Sequence, residues 1–203
     1  NVVQCKYVAK LLEELPKEEL DKRTAIVLTD ENMLIPLLHS LPESVTTVNI
    51  TMGYPLKNTL VYTFIDRLIE LQNHSGERDG VAIFYHNDII GLLTHPYITD
   101  CAEKEAKEAY DYIITNHLIS VESTIFHSND LLSAIFTRTS DWESLATYIS
   151  NILMLIAPSI STFDQIQGEY LTITLEELNK CRLSIINCDI TPSVDVFCSL
   201  LRR

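Results

Sequence analysis

Apolar residues in the first third of the chain alternate between helix-like spacing and short continuous runs. A helix that ends at Pro16 is followed by an apolar run at 24–29, which is typical of a buried parallel strand. Asp30 can cap a second helix, and 45–50 predicts a second strand. A longer amphipathic helix covers 58–73. Since each parallel crossover requires a helix, this order predicts a two-stranded parallel sheet of the doubly wound α/β kind.

A polar stretch from His74 to Gly80 precedes a region in which strand signals nearly vanish. Two glycines within it favour a linker. We therefore predict a partial α/β domain at 1–75 and an all-helical domain at 76–203, which gives an α/β but predominantly helical fold class. Further helical patterns lie at 87–94, 100–116, 129–137, 141–157, 163–186 and 192–201.

Composition narrows the possible functions. Fifteen Lys and Arg against 28 Asp and Glu give the 203 residues a formal charge of −13, which argues against free-standing DNA binding. None of the five glycines precedes a lysine, so the sequence contains no phosphate-binding loop of the G-x-x-x-x-G-K-[ST] type. Five scattered cysteines without a C-x-x-C pair favour a reducing cytoplasm. The longest apolar run, 152–157, is much shorter than a membrane span.

Two acidic patterns are candidates for metal-dependent chemistry. Asp30-Glu31 follows the predicted first strand, as in ATPases where such a pair holds magnesium and polarises water. Without a phosphate-binding loop, a helix cap is the better interpretation. Glu105-Ala106-Lys107, with Asp88 or Asp100 upstream, contains the elements of a PD-(D/E)xK nuclease site. Because residues two apart diverge by about 200° in this helix-favouring stretch, a solvated helix face is the better interpretation.

Other residue types offer no recognisable reactive site. No two histidines form an H-x-x-x-H pair, and no serine lies in G-x-S-x-G. We therefore predict no catalytic residue and no metal site in this sequence. An apolar stripe on the predicted helix at 141–157 favours a bundle core, with a groove for a partner helix as the alternative. The stripe consists of Ile149, Ile152, Leu153, Leu155 and Ile156.

Three stretches resemble a known family. They read AIVLTDENMLIPLLHSLP at 25–42, VNITMGYPLKNT at 48–59 and FYHNDIIGLLTHP at 84–96. The first two resemble the second RecA-like domain of AddB-type subunits in the RecB/AddB lineage of UvrD-like helicase-nucleases. The third resembles the start of the helical insertion, called 2B, that this family carries within the domain.

The resemblance implies a longer parent protein. Such proteins combine ATP-dependent translocation, or a relic of it, with a C-terminal PD-(D/E)xK nuclease, and they process broken DNA ends. The residues that use ATP and Mg are expected outside this sequence, so the fragment itself is expected to hold no cofactor. Gly53, Tyr54, Pro55 and Lys57 match a motif IV-like turn that lies near the nucleotide cleft in active relatives. Because both residue types fix backbone shape, Gly53 and Pro55 are expected to serve turn geometry.

Three functions remain open from the sequence. The first is a non-catalytic structural and interaction fragment of an ATP-dependent helicase-nuclease in double-strand-break repair. Its partners would be the rest of the parent chain and a helicase subunit, with DNA met through the full-length protein and no membrane. The second is a helical protein-interaction module, favoured by the acidic helical half. The third is a Rossmann-like nucleotide or metabolite domain that uses the ends of the two strands.

Overall fold

Helices make up 66% of the protein in the computed structural model, and the remainder includes a small three-stranded antiparallel sheet. The predicted class, α/β but predominantly helical, is confirmed at this coarse level. Backbone contacts divide the chain into an N-terminal unit, Asn1–Tyr54, and a helical unit, Pro55–Arg203. The predicted boundary at residue 75 falls inside the helical unit. The structure describes residues 2–16, 19–51, 55–163 and 165–202.

The described part of the N-terminal unit contains two α-helices, α1 at Val2–Glu14 and α2 at Leu34–Leu38. A 3-10 turn at Glu31–Met33 leads into α2. The carboxylate of Asp30 caps this turn by accepting the backbone N–H two residues on, at 3.0 Å. Pro36 lies in the first turn of α2, where its missing N–H costs no helical hydrogen bond. The predicted helix after Asp30 is therefore confirmed, although it is shorter than the sequence suggests.

The predicted parallel strands do not form. The segments at 24–28 and 45–51 have no regular secondary structure, and no backbone hydrogen bond pairs them within the described part of the chain. Their apolar side chains are largely exposed, and Val27 keeps 85% of its surface in solvent. The predicted two-stranded parallel sheet is therefore wrong for the described residues. Two apolar strands alone bury too little surface to offset the entropy lost on ordering them.

An antiparallel sheet forms where the sequence suggested a linker. Strands β1 at Gly76–Arg78 and β2 at Val81–Tyr85 make a hairpin, and β3 at Ser120–Glu122 pairs with the other edge of β2. The hairpin turn consists of Asp79 and Gly80, both at positive φ, 51° and 79°. Asp-Gly is a preferred pair for a two-residue turn of this hand, so the polar stretch joins two strands.

Seven helices fill the described part of the helical unit, and their positions follow the predicted helical patterns closely. Short 3-10 turns at Leu56–Asn58 and Ser123–Phe126 precede α3 and α6. The helices are α3 at Leu60–Asn73, α4 at His86–Leu93, α5 at Pro96–Thr115, α6 at Asp130–Ile135, α7 at Trp142–Phe163, α8 at Gln165–Asn187 and α9 at Val194–Leu201.

Helix α7 provides the centre of the helical unit's core. Ile149, Ile152, Leu153 and Ile156 are fully buried, which confirms these members of the predicted apolar stripe. Leu155 is 50% exposed, so its assignment to the core is wrong. Because 3.6 residues make one turn, five apolar positions within eight residues occupy more than one face of the helix.

Among the described residues, α7 is also the one helix that is long and apolar enough to cross a membrane, and the qualifying stretch is Trp142–Ile160. Half of that window is buried inside the unit. Burial of this kind is typical of a core helix in a soluble protein, because the surrounding helices already cover its apolar face.

Candidate functional site

An open cavity of about 550 Å³ with a mixed polar and apolar lining lies at the surface of the helical unit. The first turns of α7 form one wall, the end of α6 and the loop after it form a second wall, and α8 contributes Arg182. Its polar and charged lining residues are Thr137, Arg138, Thr139, Asp141, Glu143, Ser144, Thr147, Tyr148, Asn151 and Arg182.

The start of α7 satisfies its own backbone donors. The carboxylate of Asp141 accepts the backbone N–H groups of Glu143 at 3.0 Å and Ser144 at 2.8 Å. The hydrogen bond from the Ser144 backbone, followed by one from the Ser140 hydroxyl, lowers the pKa of Asp141. Asp141 therefore stays ionised and occupies the position in which an anion would meet the helix end.

Two arginines from different elements border the cavity. Arg182 donates from Nη2 to the Glu143 carboxylate at 2.9 Å, and Arg138 donates from Nη1 to Glu77 at 3.0 Å. The Nε of Arg182 is buried and has no hydrogen-bond partner among the described residues.

Some hydroxyl groups of the cavity already donate hydrogen bonds to backbone carbonyls, and others do not. The Thr137 hydroxyl donates to the Ser133 carbonyl at 2.8 Å, and the Tyr148 hydroxyl donates to the Ile135 carbonyl at 2.6 Å. Burial raises the pKa of Tyr148, so this hydroxyl keeps its proton. The side chains of Thr147 and Asn151, by contrast, make no hydrogen bond within the described residues.

The arrangement can bind a ligand but holds no reactive pair. Arg182 pairs with Glu143 and Arg138 pairs with Glu77, whereas the Asp141 carboxylate is held by backbone N–H groups at the start of α7. Serine and threonine hydroxyls line the cavity, but among the described lining residues no histidine, lysine or cysteine stands beside them as a base poised near neutral pH. Binding through Arg182, Thr147 and Asn151 is the chemistry that these groups support.

The turn that the resemblance singled out lies elsewhere. Gly53 and Tyr54 fall outside the described residues. Pro55 precedes the 3-10 turn and its carbonyl accepts the backbone N–H of Asn58 at 2.9 Å, while Lys57 is exposed in that turn. Neither described residue of this group lines the cavity, and the assignment of the turn to motif IV stays a prediction.

The acidic candidates are not brought together. Asp88 on α4 accepts a hydrogen bond from His74 Nδ1 at 2.8 Å, which pairs it away from α5. Glu105 and Lys107 both lie on α5, as the helical interpretation predicts, and Glu105 borders a smaller cavity of about 240 Å³. Among the described residues, no group of three or more His, Cys, Asp or Glu side chains is placed to hold a metal ion.

Sequence reasoning did not single out the cavity residues. Arg138, Asn151 and Arg182 come from three separate elements, so no short motif connects them. Helix α8 has two basic residues, Lys180 and Arg182, beside three glutamates, which is typical of ordinary surface ion pairs and singles out neither residue.

In comparisons with known proteins, no family model, curated protein or solved structure matches this chain.

Proposed function

We propose that this chain is a non-catalytic structural and interaction part of an AddB-type, ATP-dependent DNA helicase-nuclease that acts in double-strand-break repair in the cytoplasm. ATP, Mg and the nuclease residues belong to other parts of the parent protein. The chain contacts the rest of the parent and a helicase subunit, and it meets DNA through the full-length protein. The RecA-like assignment of its first third is part of this proposal.

The observation that carries the proposal is the pair of exposed apolar segments at 24–28 and 45–51. Ile26, Val27 and Ile50 are 39%, 85% and 45% exposed, although β-branched runs of this kind normally lie in buried strands. Their backbone groups from 25 to 28 and from 46 to 51 make no backbone hydrogen bonds among the described residues. Both features are those of strands whose neighbours are supplied by another part of a larger sheet.

Coding sequence on either side provides the most direct test. We expect a G-x-x-x-x-G-K-[ST] loop upstream, or a degenerate form of it, and an Asp followed by Glu-x-Lys on predicted strands downstream. A coding region in which both elements are absent contradicts the proposal.

A binding experiment tests the exposed segments directly. Val27→Lys in this chain should weaken its co-purification with the separately expressed upstream and downstream parts of the parent at least ten-fold, because a charge enters the proposed strand contact. Val3→Lys is the matched control, since Val3 is 75% exposed on α1, outside the segments. Equal co-purification of the two variants contradicts a strand contact at Val27.

A helical protein-interaction module is the second candidate. It is favoured by large apolar side chains exposed on the long helices, such as Tyr112, Met154 and Leu183 at 51%, 54% and 57%. The test uses residues 55–203 without the N-terminal unit. If this unit captures one stable protein partner and does not bind duplex DNA at low salt, this function is favoured over the first. The Rossmann-like alternative lacks its parallel strands among the described residues, and we expect no thermal stabilisation by nucleotides.

A further inference from the structure

We propose that the smaller cavity, of about 240 Å³, holds an arginine side chain of a protein partner. This inference goes beyond the proposed function and does not rest on it. The cavity lies between α5 and the segment that leads from the second 3-10 turn into α6, and we call it the α5 cleft. Its lining includes Glu105, Glu108, Ala109 and Tyr112 from α5, with Ile125 and Leu132 from the other segment.

One face of α5 supplies four lining residues of the α5 cleft. Glu105, Glu108, Ala109 and Tyr112 follow the spacing i, i+3, i+4 and i+7, which places residues on one side of a helix. Lys107 is two residues from Glu105 and therefore lies about 200° around the helix from it. The Glu-x-Lys pattern at 105–107 is thus divided, with its carboxylate at the cleft and its lysine on another side of α5.

The charge of the α5 cleft defines the sign of the ligand. Glu105 and Glu108 line it, and no lysine, arginine or histidine is among its described lining residues. The Glu108 carboxylate lies 3.9 Å from the Lys104 ammonium, but these two side chains are 68% and 82% exposed. Such an exposed pair contributes little to stability, so a ligand cation can replace Lys104 at low cost. The formal charge of −13 also attracts basic partners to the chain.

The apolar part of the lining fits the stem of a long basic side chain. Leu132 is only 1% exposed, and Ile125 and Ala109 pack against the same core. An arginine stem can cover such apolar groups while its charged end stays at the carboxylates. The volume of about 240 Å³ is below the roughly 300–1,000 Å³ typical of small-molecule sites, so the cleft matches one side chain better than a whole cofactor.

The groups at the α5 cleft favour arginine over lysine. A guanidinium has five N–H donors in a planar fork, so it can donate to the carboxylates of both Glu105 and Glu108. Its plane also stacks on aromatic rings, and the Tyr112 ring is available because this residue is 51% exposed. A lysine ammonium is more strongly hydrated and offers no plane for stacking. Nucleic acid is disfavoured, because the two glutamates repel phosphates.

The test uses the full chain labelled with ¹⁵N and three capped tripeptides, Gly-Arg-Gly, Gly-Lys-Gly and Gly-citrulline-Gly. Citrulline has nearly the shape of arginine but no charge. We expect saturable shifts of the backbone amides of Ala109 and Tyr112 with the arginine peptide, several-fold weaker binding of the lysine peptide, and at least ten-fold weaker binding of the citrulline peptide. No saturable shift with the arginine peptide, or equal binding of either other peptide, overturns the proposal.

A matched pair of variants separates the α5 cleft from the general negative charge of the chain. Glu105→Gln should weaken binding of the arginine peptide about ten-fold, because a charge-assisted hydrogen bond is lost. Glu103→Gln removes the same charge from the same helix at an exposed position outside the cleft, and it should change binding less than two-fold. Equal losses for the two variants contradict the proposal, since attraction by overall charge alone predicts them.

Tyr112→Ser tests the stacking contact separately from the carboxylates. We expect it to weaken the arginine peptide several-fold and the lysine peptide less, because only the guanidinium loses a stacking partner. Melting temperatures of all three variants should stay close to that of the unaltered protein, because these side chains are at least partly exposed. Unchanged binding of the arginine peptide by Tyr112→Ser contradicts the stacking contact and with it the preference for arginine.

Discussion

His95 is buried where α3 meets the start of α5, with 5% of its surface exposed. Its Nδ1 accepts the backbone N–H of Tyr97 at 3.2 Å, so the proton of the neutral ring belongs on Nε2, which faces the Thr63 hydroxyl at 3.3 Å. Burial, followed by the positive charge of Arg67, lowers the pKa of His95 to about 4. Protonation of Nδ1 would place an N–H of the ring against the backbone N–H of Tyr97, and the helix cap would be lost.

This histidine makes the stability of the helical unit pH-dependent. In the unfolded state the histidine has its ordinary pKa of 6.5, whereas in the folded state its pKa is about 4. Between these two pH values the unfolded state binds a proton that the folded state does not. The contribution of His95 to the free energy of unfolding is therefore fully present above pH 6.5 and is lost as the pH falls toward 4. Urea denaturation should show a loss of about 2 kcal/mol between pH 7 and pH 4.5.

The variant that isolates this effect is His95→Asn, because asparagine can still cap α5 but does not titrate. We expect its stability to change much less over the same pH range. His127→Asn, at an exposed position, is the control and should retain the decrease seen in the unaltered protein. Equal pH dependence of His95→Asn and the unaltered protein would show that other groups cause the decrease.

Tyr148 satisfies a backbone carbonyl that its own helix cannot. Ile135 is the last residue of α6, and its carbonyl accepts the Tyr148 hydroxyl at 2.6 Å in a buried environment. Tyr148→Phe should lower the free energy of unfolding by about 1–2 kcal/mol. Tyr62→Phe removes an exposed 3.3 Å hydrogen bond to the Arg202 carbonyl and should cost less than about 0.5 kcal/mol in the same denaturant titration.

At the scale of elements, α7 combines a buried and an exposed face within one turn. Leu153 is fully buried, whereas Leu155 is 50% exposed. Leu153→Ala should lower the free energy of unfolding by about 2–5 kcal/mol because it leaves a cavity in the core. The same substitution at Leu155 should cost less than about 1 kcal/mol. Similar losses for both variants would contradict the helix orientation described above.

Helices were the predictable elements because apolar residues at a 3.6-residue period and Asn or Asp caps are local signals. Asn129, for example, caps α6 by accepting two backbone N–H groups at 2.9 and 3.1 Å. The strands were less predictable. The run at 24–29 carries a strand pattern without a strand, and the hairpin around Asp79 and Gly80 has strands too short to show a pattern. Pairing depends on partners that are not local in sequence.

At the scale of the whole molecule, the helical unit holds nearly all of the buried apolar residues. Its continuous core extends from Val61 to Cys198, whereas the N-terminal unit buries Cys5, Leu12, Leu34 and Leu37 among its described residues. We expect residues 55–203 alone to unfold cooperatively, with helical circular dichroism, because a unit of this size can bury a sufficient core. Residues 1–54 alone should show little cooperative unfolding. A non-cooperative transition for 55–203 would contradict this division.

The sequence by itself determined the helices, the cap at Asp30 and most of the buried stripe of α7, because periodicity and capping act over a few neighbouring residues. It also determined the acidic charge and the absence of a phosphate-binding loop. Tertiary structure decided that the apolar runs at 24–28 and 45–51 stay unpaired and that Arg138, Asn151 and Arg182 border one cavity. Both outcomes depend on contacts between residues far apart in the chain, which local patterns do not encode.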